Sequence, residues 1–307
     1  IWLVNIILSI LTLGIYSAWA KVRRKQYFYG NTKLHGASFQ YLADPVKILK
    51  GRIVVVLFFA VYSVITELLP IIGSFLSIGF ALFLPWLVVR SLSFNARNSA
   101  LRNIRFGFDA RIWDAAKAFV LWPLAGALTL GILMPYVYFN QKKFVVEHSS
   151  YGTTRFGLTA TAGDYYKLFF SLLIPLIGGI VLAVLIGFVF PPISILIGIV
   201  MYLYAMAFIV VKTNNLLFNS TTLSVHGFRA NMETIEYSII VLTNTLATVL
   251  TLGLFHPWAR IRAMKYKVEH LSFVPKGDID SFLAAEQMQT SALGAEFSDI
   301  MDFDFGL

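Results

Sequence analysis

One tripeptide, Thr-Leu-Gly, limits what this chain can fold into more than any other feature. Thr12-Leu-Gly-Ile-Tyr-Ser-Ala-Trp19 leads into a basic stretch ending at Tyr27. The pattern returns as Thr129-Leu-Gly-Ile-Leu-Met-Pro-Tyr136 and as Thr251-Leu-Gly-Leu-Phe-His-Pro-Trp258. The spacings, 117 and 122 residues, define an internal repeat of about 120 residues, and a repeat outranks any local pattern. In each copy an apolar run ends at Thr-Leu-Gly, an aromatic residue follows, and a polar helix begins. Glycine and proline end helices, and aromatic rings settle at a membrane surface, so Trp19, Tyr136 and Trp258 are expected as interface anchors.

Composition agrees with a lipid setting. Of the residues 58% are hydrophobic and 13% charged, against about half and a quarter in soluble domains. The fold class expected is an all-α polytopic membrane protein with short β-hairpin modules at the membrane surfaces. The net charge of +9 does not point to nucleic acid, because the basic residues flank apolar runs, where they set orientation. With no cysteine there is no disulfide framework and no thiolate chemistry. The chain begins with Ile1 inside an apolar run, which reads as the edge of a longer protein.

Seven apolar runs approach the length that crosses a ~30 Å hydrocarbon core. They are Ile1–Trp19, Ile53–Leu69, Ile71–Val89, Ala118–Phe139, Leu168–Phe190, Ile193–Val211 and Ser238–Phe255. Pro70 splits one pair and Pro191-Pro192 another, so each pair reads as a helical hairpin. This gives a first repeat over 1–127, a second over 128–249, the start of a third over 250–274, and an acidic tail over 275–307.

Polar modules separate the runs. Twelve residues after each anchor stands Asn31, His148 or His270. Ile104–Arg111 alternates apolar and polar residues as a strand does, and Arg155–Ala160 and Thr222–Arg229 do so less cleanly. Asp44, Asp114 and Asp164 each precede a lysine by three residues and then an apolar run, which predicts helix N-caps. Three spans per repeat place successive copies in opposite orientation. The third and fourth modules carry few Lys and Arg, so the first, second and fifth are expected to be cytoplasmic and those two periplasmic. A competing arrangement makes each Thr-Leu-Gly run re-entrant and keeps every module on the cytoplasmic side. In both, the tail is cytoplasmic. Its acids either form a solvated arm or dock on the basic modules.

Ionisable and polar groups within the apolar runs mark candidate pathway or packing positions: Glu67, and Thr243, Asn244 and Thr245. No metal-ligand spacing, phosphate loop or nucleophile elbow is present, so neither a cofactor nor a catalytic site is expected.

The pieces Thr12-Leu-Gly-Ile-Tyr16, Trp19-Ala20, Tyr27-Phe-Tyr-Gly-Asn31-Thr, Gly36 with Phe39, and Arg105-Phe-Gly-Phe108 resemble the YjgN family of bacterial inner-membrane proteins, a domain of unknown function. The resemblance covers residues 1 to about 273. It implies a multi-pass inner-membrane location and an N-terminal piece upstream of Ile1, and supplies no activity or catalytic residue. It also suggests a membrane metallopeptidase as a neighbour. Two functions follow as expectations. One is a transporter or lipid-handling permease built on inverted repeats, with membrane lipid as its partner. The other is a scaffold or adaptor for another membrane protein.

Overall fold

The computed structural model describes residues 1–278 and 281–289. These divide into two compact units. The first holds Ile1–Leu133, Lys143–Phe156 and the described residues from Asp278 onward; the second holds Met134–Lys142 and Gly157–Gly277.

In the first unit, helix α1 (Trp2–Leu11) turns at Thr-Leu-Gly into α2 (Ser17–Gly30), followed by strands β1 (Lys33–Leu34) and β2 (Ala37–Tyr41). Helices α3 (Pro45–Leu68) and α4 (Pro70–Arg97) form a hairpin, and β3 (Ser99–Leu101) and β4 (Ile104–Phe108) follow it. Next come α5 (Ile112–Ala116), a π-helical turn over Lys117–Leu121, and α6 (Trp122–Leu128). Helix α7 (Met134–Glu147) leads to β5 (Ser149–Tyr151) and β6 (Thr154–Leu158). The second unit carries the hairpin of α8 (Ala162–Gly187) and α9 (Pro191–Asn219), then β7 (Thr221–Leu223), β8 (His226–Ala230), α10 (Thr234–Leu250), α11 (His256–Glu269) and β9 (Leu271–Val274).

Four described helices, not the seven spans expected, are long and apolar enough to cross a membrane: α3, α4, α8 and α9. Their outward side chains are apolar along most of their length, which suits lipid rather than water. The other apolar runs form shorter described helices. At ~1.5 Å per residue, the 17 residues of α10 reach about 26 Å, below the ~30 Å core. Helix α1 is described over Trp2–Leu11. The middle run lies on one continuous helix over 112–128 that carries a π turn at Lys117–Leu121 and ends at Leu128.

Each Thr-Leu-Gly ends its helix in the same way. Leu13, Leu130 and Leu252 take φ of 50, 51 and 50°, and Gly14, Gly131 and Gly253 take 91, 88 and 92°. The glycine N–H bonds five residues back, Gly14 to Ser9 O at 2.7 Å, Gly131 to Gly126 O at 2.9 Å, and Gly253 to Thr248 O at 2.7 Å. These are Schellman-type closures, which turn the chain sharply and satisfy the last carbonyls. The threonine ties the incoming helix to the outgoing one. Thr12 Oγ1 donates to Leu8 O at 2.7 Å and accepts from Tyr16 N at 2.9 Å. Thr129 and Thr251 repeat both bonds.

The strands overturn the expected alternation of sides. In the first unit β1 to β5 pair antiparallel in chain order, and β5 pairs β6. The decisive ladder is β4 with β5, where Phe106 faces Tyr151 and Gly107 faces Ser150. A side chain at Gly107 would meet the Ser150 hydroxyl, which would have to swing aside. Arg105 therefore stands one strand away from the hairpin that carries Arg155. Strands bonded to one another lie on one side of a bilayer, because an open ladder cannot be threaded through lipid. The second and third modules share a side, contrary to the opposite orientation expected for the second repeat. In the second unit, β8 likewise pairs both β7 and β9, from the fourth and fifth modules.

Candidate functional site

Two sets of residues stand out, and the first is the turns themselves. Leu13, Leu130 and Leu252 are each 95% exposed at the apex of their turns. A leucine held out at positive φ is costly twice over in water, through strain and through exposed apolar area. The anchors sit in the first turn of the helix that follows. Trp19 stacks on Tyr16 with ring centres 6.3 Å apart, Trp258 on Phe255 at 6.2 Å, and Tyr136 lies 6.4 Å from Phe139. Trp258 is exposed, and Trp19 and Tyr136 are partly so. At the far end of the same helices, Asn31 Nδ2 and the Nδ1 atoms of His148 and His270 meet the carbonyls of Tyr27, Phe144 and Tyr266 at 2.7, 2.8 and 2.8 Å. Capping the last turn accounts for these landmark residues.

The polar residues of the apolar runs have structural partners. Asn244, buried in α10, donates to Ala259 O of α11 at 3.1 Å. Arg262 donates to Thr243 Oγ1 at 2.7 Å and to Asn244 Oδ1 at 3.4 Å. Thr245 bonds its own helix at Val241 O. These groups clamp α10 onto α11 and are not gathered around a cavity. Glu67 is exposed one turn from the α3–α4 bend, away from them.

Of the aspartates expected at N-caps, Asp44 Oδ1 accepts from Val46 N at 2.8 Å, with Pro45 opening α3. Asp114 and Asp164 stand elsewhere: each is the third residue of its helix, and the N-caps are Arg111 and Thr161. Asp164 reaches back to Thr161 N at 2.9 Å, and Asp114 pairs with Lys117 at 3.5 Å. Both positions use the favourable field at a helix start.

The second set went unnoticed in the sequence. Lys21 and Lys25 are partly buried on the face of α2 that also carries Ala18 and Val22, and that face packs with Tyr41, Ile48 and Phe94. Lys25 Nζ donates to Asn95 Oδ1 of α4, lies 3.4 Å from Tyr41 Oη, and sits 4.5 Å from the centre of the Tyr41 ring. Arg52 of α3 donates to Ser17 Oγ. Burial first, then Lys21 and Arg24, lowers the Lys25 pKa to about 8. Burial, Arg52 and Arg24 lower that of Lys21. Burial and Tyr29 push the Tyr41 hydroxyl up to about 12, so it stays protonated. The signal in the sequence was the four-residue spacing of Lys21 and Lys25. It was masked because α2 is basic on several faces.

The tail touches the first unit. Glu286, 4% exposed in a helical segment over 281–289, accepts from Thr153 N at 2.7 Å and from the Thr153 and Thr154 hydroxyls. Docking, not solvation, describes this part of the tail. Asp280, Glu296, Asp299, Asp302, Asp304, Phe297, Phe303 and Phe305 lie outside the described residues.

Comparison with known proteins fits this architecture. A family model described as "Bacterial protein of unknown function (DUF898)" matches residues 1–300. The chain belongs to this family. Curated relatives bear the name the Thr12–Ala20 and Arg105–Phe108 motifs suggested. The inner membrane protein YjgN of Escherichia coli O157:H7 is 28% identical over 151 residues, 49% of this chain and 37% of that protein. YjgN of Escherichia coli K12 is 27% identical over the same length. YjgN of Salmonella typhimurium LT2 is 34% identical over 122 residues, 37% of this chain and 30% of that protein. The matched stretch thus covers about a third of these relatives' length. No solved structure matches. The DUF898 chain is a helical membrane protein whose relatives are named for the inner membrane.

Proposed function

We propose that this protein handles lipid at the cytoplasmic face of the inner membrane, as a duplicated unit whose Thr-Leu-Gly turns dip into one leaflet. The observation that carries the reading is the triple repetition of one turn with a fully presented leucine at its apex. Such a wedge belongs in acyl chains and loosens lipid packing around it. All 25 Lys and Arg lie outside 53–89 and 168–211, the stretches that hold the two hairpin bends, and by the positive-inside rule this supports a cytoplasmic side for the modules. The case for alternating access rested on repeats that face opposite sides, and the β4–β5 pairing removes that support. Lipid handling does not need it.

Liposomes reconstituted with the protein should exchange fluorescent phospholipid between leaflets faster than empty ones, with no ion gradient. Serine at Leu13, Leu130 and Leu252 together should return the rate to that of empty liposomes. A wild-type rate equal to the empty control contradicts the reading.

The scaffold reading keeps one specific support, the seat that the β5–β6 turn provides for an acidic helical segment. A stoichiometric membrane-protein partner in native membranes, a metallopeptidase among the candidates, would favour it.

A further inference from the structure

We propose that Lys21, Lys25 and Arg52 form a binding site for the phosphate of an anionic phospholipid headgroup. The argument begins with position. Both lysines lie on the helix face that packs against α3 and α4, where an apolar side chain would normally stand. Taking a cation out of water is costly unless an opposite charge or several oxygens replace the lost hydration. Here the oxygens are neutral: Asn95 Oδ1 and Tyr41 Oη for Lys25, and Ser17 Oγ for Arg52. Among the described residues no carboxylate lies within ion-pair distance of any of the three. The cations also repel one another, which together with burial holds both lysine pKa values down. On one face of α2, Lys21 stands between Ser17, which Arg52 reaches, and Lys25, so the three form a row of cations without an acid. Such a row suits a multivalent anion, and arginine's fork with ammonium groups suits phosphate oxygens.

The height of the cluster names the source of that phosphate. Arg52 is the last polar residue of α3 before its surface turns apolar: Ile53, Val54, Val56 and Leu57 follow, all exposed. Lys21 stands within three turns of the Leu13 wedge on the same stretch of chain. A headgroup whose acyl chains lie along α3 would bring its phosphate to this level, as basic pockets between membrane helices do. Each later copy keeps a cation at one of the two lysine positions, Lys142 beside Tyr138 in one and Arg260 beside Met264 in the other, so neither repeats the pair. The site belongs to the first module alone. Asn215, which aligns with Asn95, instead bonds the backbone of Met232.

The inference rests on the lipid-handling reading for the ligand's source, but its test involves no lipid movement. The full chain, purified in neutral detergent, is examined by native mass spectrometry for retained phosphatidylglycerol. The wild type should retain it. Lys21→Gln/Arg52→Gln should lose about tenfold in retention, the scale of one charge-assisted contact. Lys47→Gln/Lys50→Gln, with the same charge change on exposed lysines of α3, should not. Equal retention by both double variants overturns the site. Displacement of the lipid by millimolar inorganic phosphate overturns the lipid assignment. Lys25→Met guards against misfolding: it should melt higher than wild type in lipid-free detergent and lose the stabilisation that added phosphatidylglycerol confers. A lower melting temperature with that stabilisation intact counts against the site. Retention without leaflet exchange would sink the lipid-handling reading and leave this one standing.

Discussion

Leucine at φ near +50° is a poor choice for a turn, and the chain makes it three times. Glycine there would relieve about 1 kcal/mol of strain and give back a similar amount in chain entropy. Leu13→Gly should therefore leave the melting temperature nearly unchanged while slowing leaflet exchange. A large drop in melting temperature would mean the leucine serves the fold. Gly14→Val, at φ +91°, should cost about 1–3 kcal/mol in thermal unfolding. Lys25 gives a second test. Its folded pKa, about 8, lies below the ordinary 10.5, so between those values the unfolded chain binds the proton that the folded chain has released. Stability then rises with pH through that window and is flat below it. Lys21 and Lys267 are shifted in the same direction. A melting curve followed from pH 7 to about 10.5 should show the rise, and Lys25→Met should reduce it. At this scale the glycines and threonines were legible, because they mark helix ends wherever they stand. The direction of Lys25 was not, since Asn95 and Tyr41 reach it from elements distant in the chain.

Among the elements, α1 and α10 carry asparagines at aligned positions with different surroundings. Asn244 bridges to Ala259 O, whereas the buried Oδ1 of Asn5 has no hydrogen-bond partner. Asn244→Leu should destabilise by about 1–3 kcal/mol, and Asn5→Leu should be neutral or stabilising. Equal losses in a thermal melt would refute that distinction. The β5–β6 turn makes a similar claim on the tail. Thr153→Val removes a hydroxyl from the Glu286 seat, and limited proteolysis within 281–289 should quicken. The two hairpins were legible because proline sits between pairs of long apolar runs. The sheet was only partly so. Strands of two or three residues such as β1, β3 and β5 show no alternation, and their pairing depends on modules about 50 residues apart. Counting apolar residues carried the last run past the end of α10, because hydrophobicity does not register the left-handed turn at Leu252 and Gly253 that ends the helix.

For the whole molecule, orientation carries the account. The charge bias between modules suggested alternation, and the β4–β5 ladder removes it: hydrogen bonds between strands decide sidedness where cation counts only lean. The proposed reading expects the modules on the cytoplasmic side and the hairpin bends outside. The chain has no cysteine, so single cysteines can be placed without removing others. Cysteines at Ser150, Asn219, Leu69 and Val189 in intact cells, treated with a membrane-impermeant thiol reagent, test this most directly. The account predicts labelling at Leu69 and Val189 and protection at Ser150 and Asn219 until the cells are opened. Labelling of Ser150 or Asn219 in intact cells would contradict it.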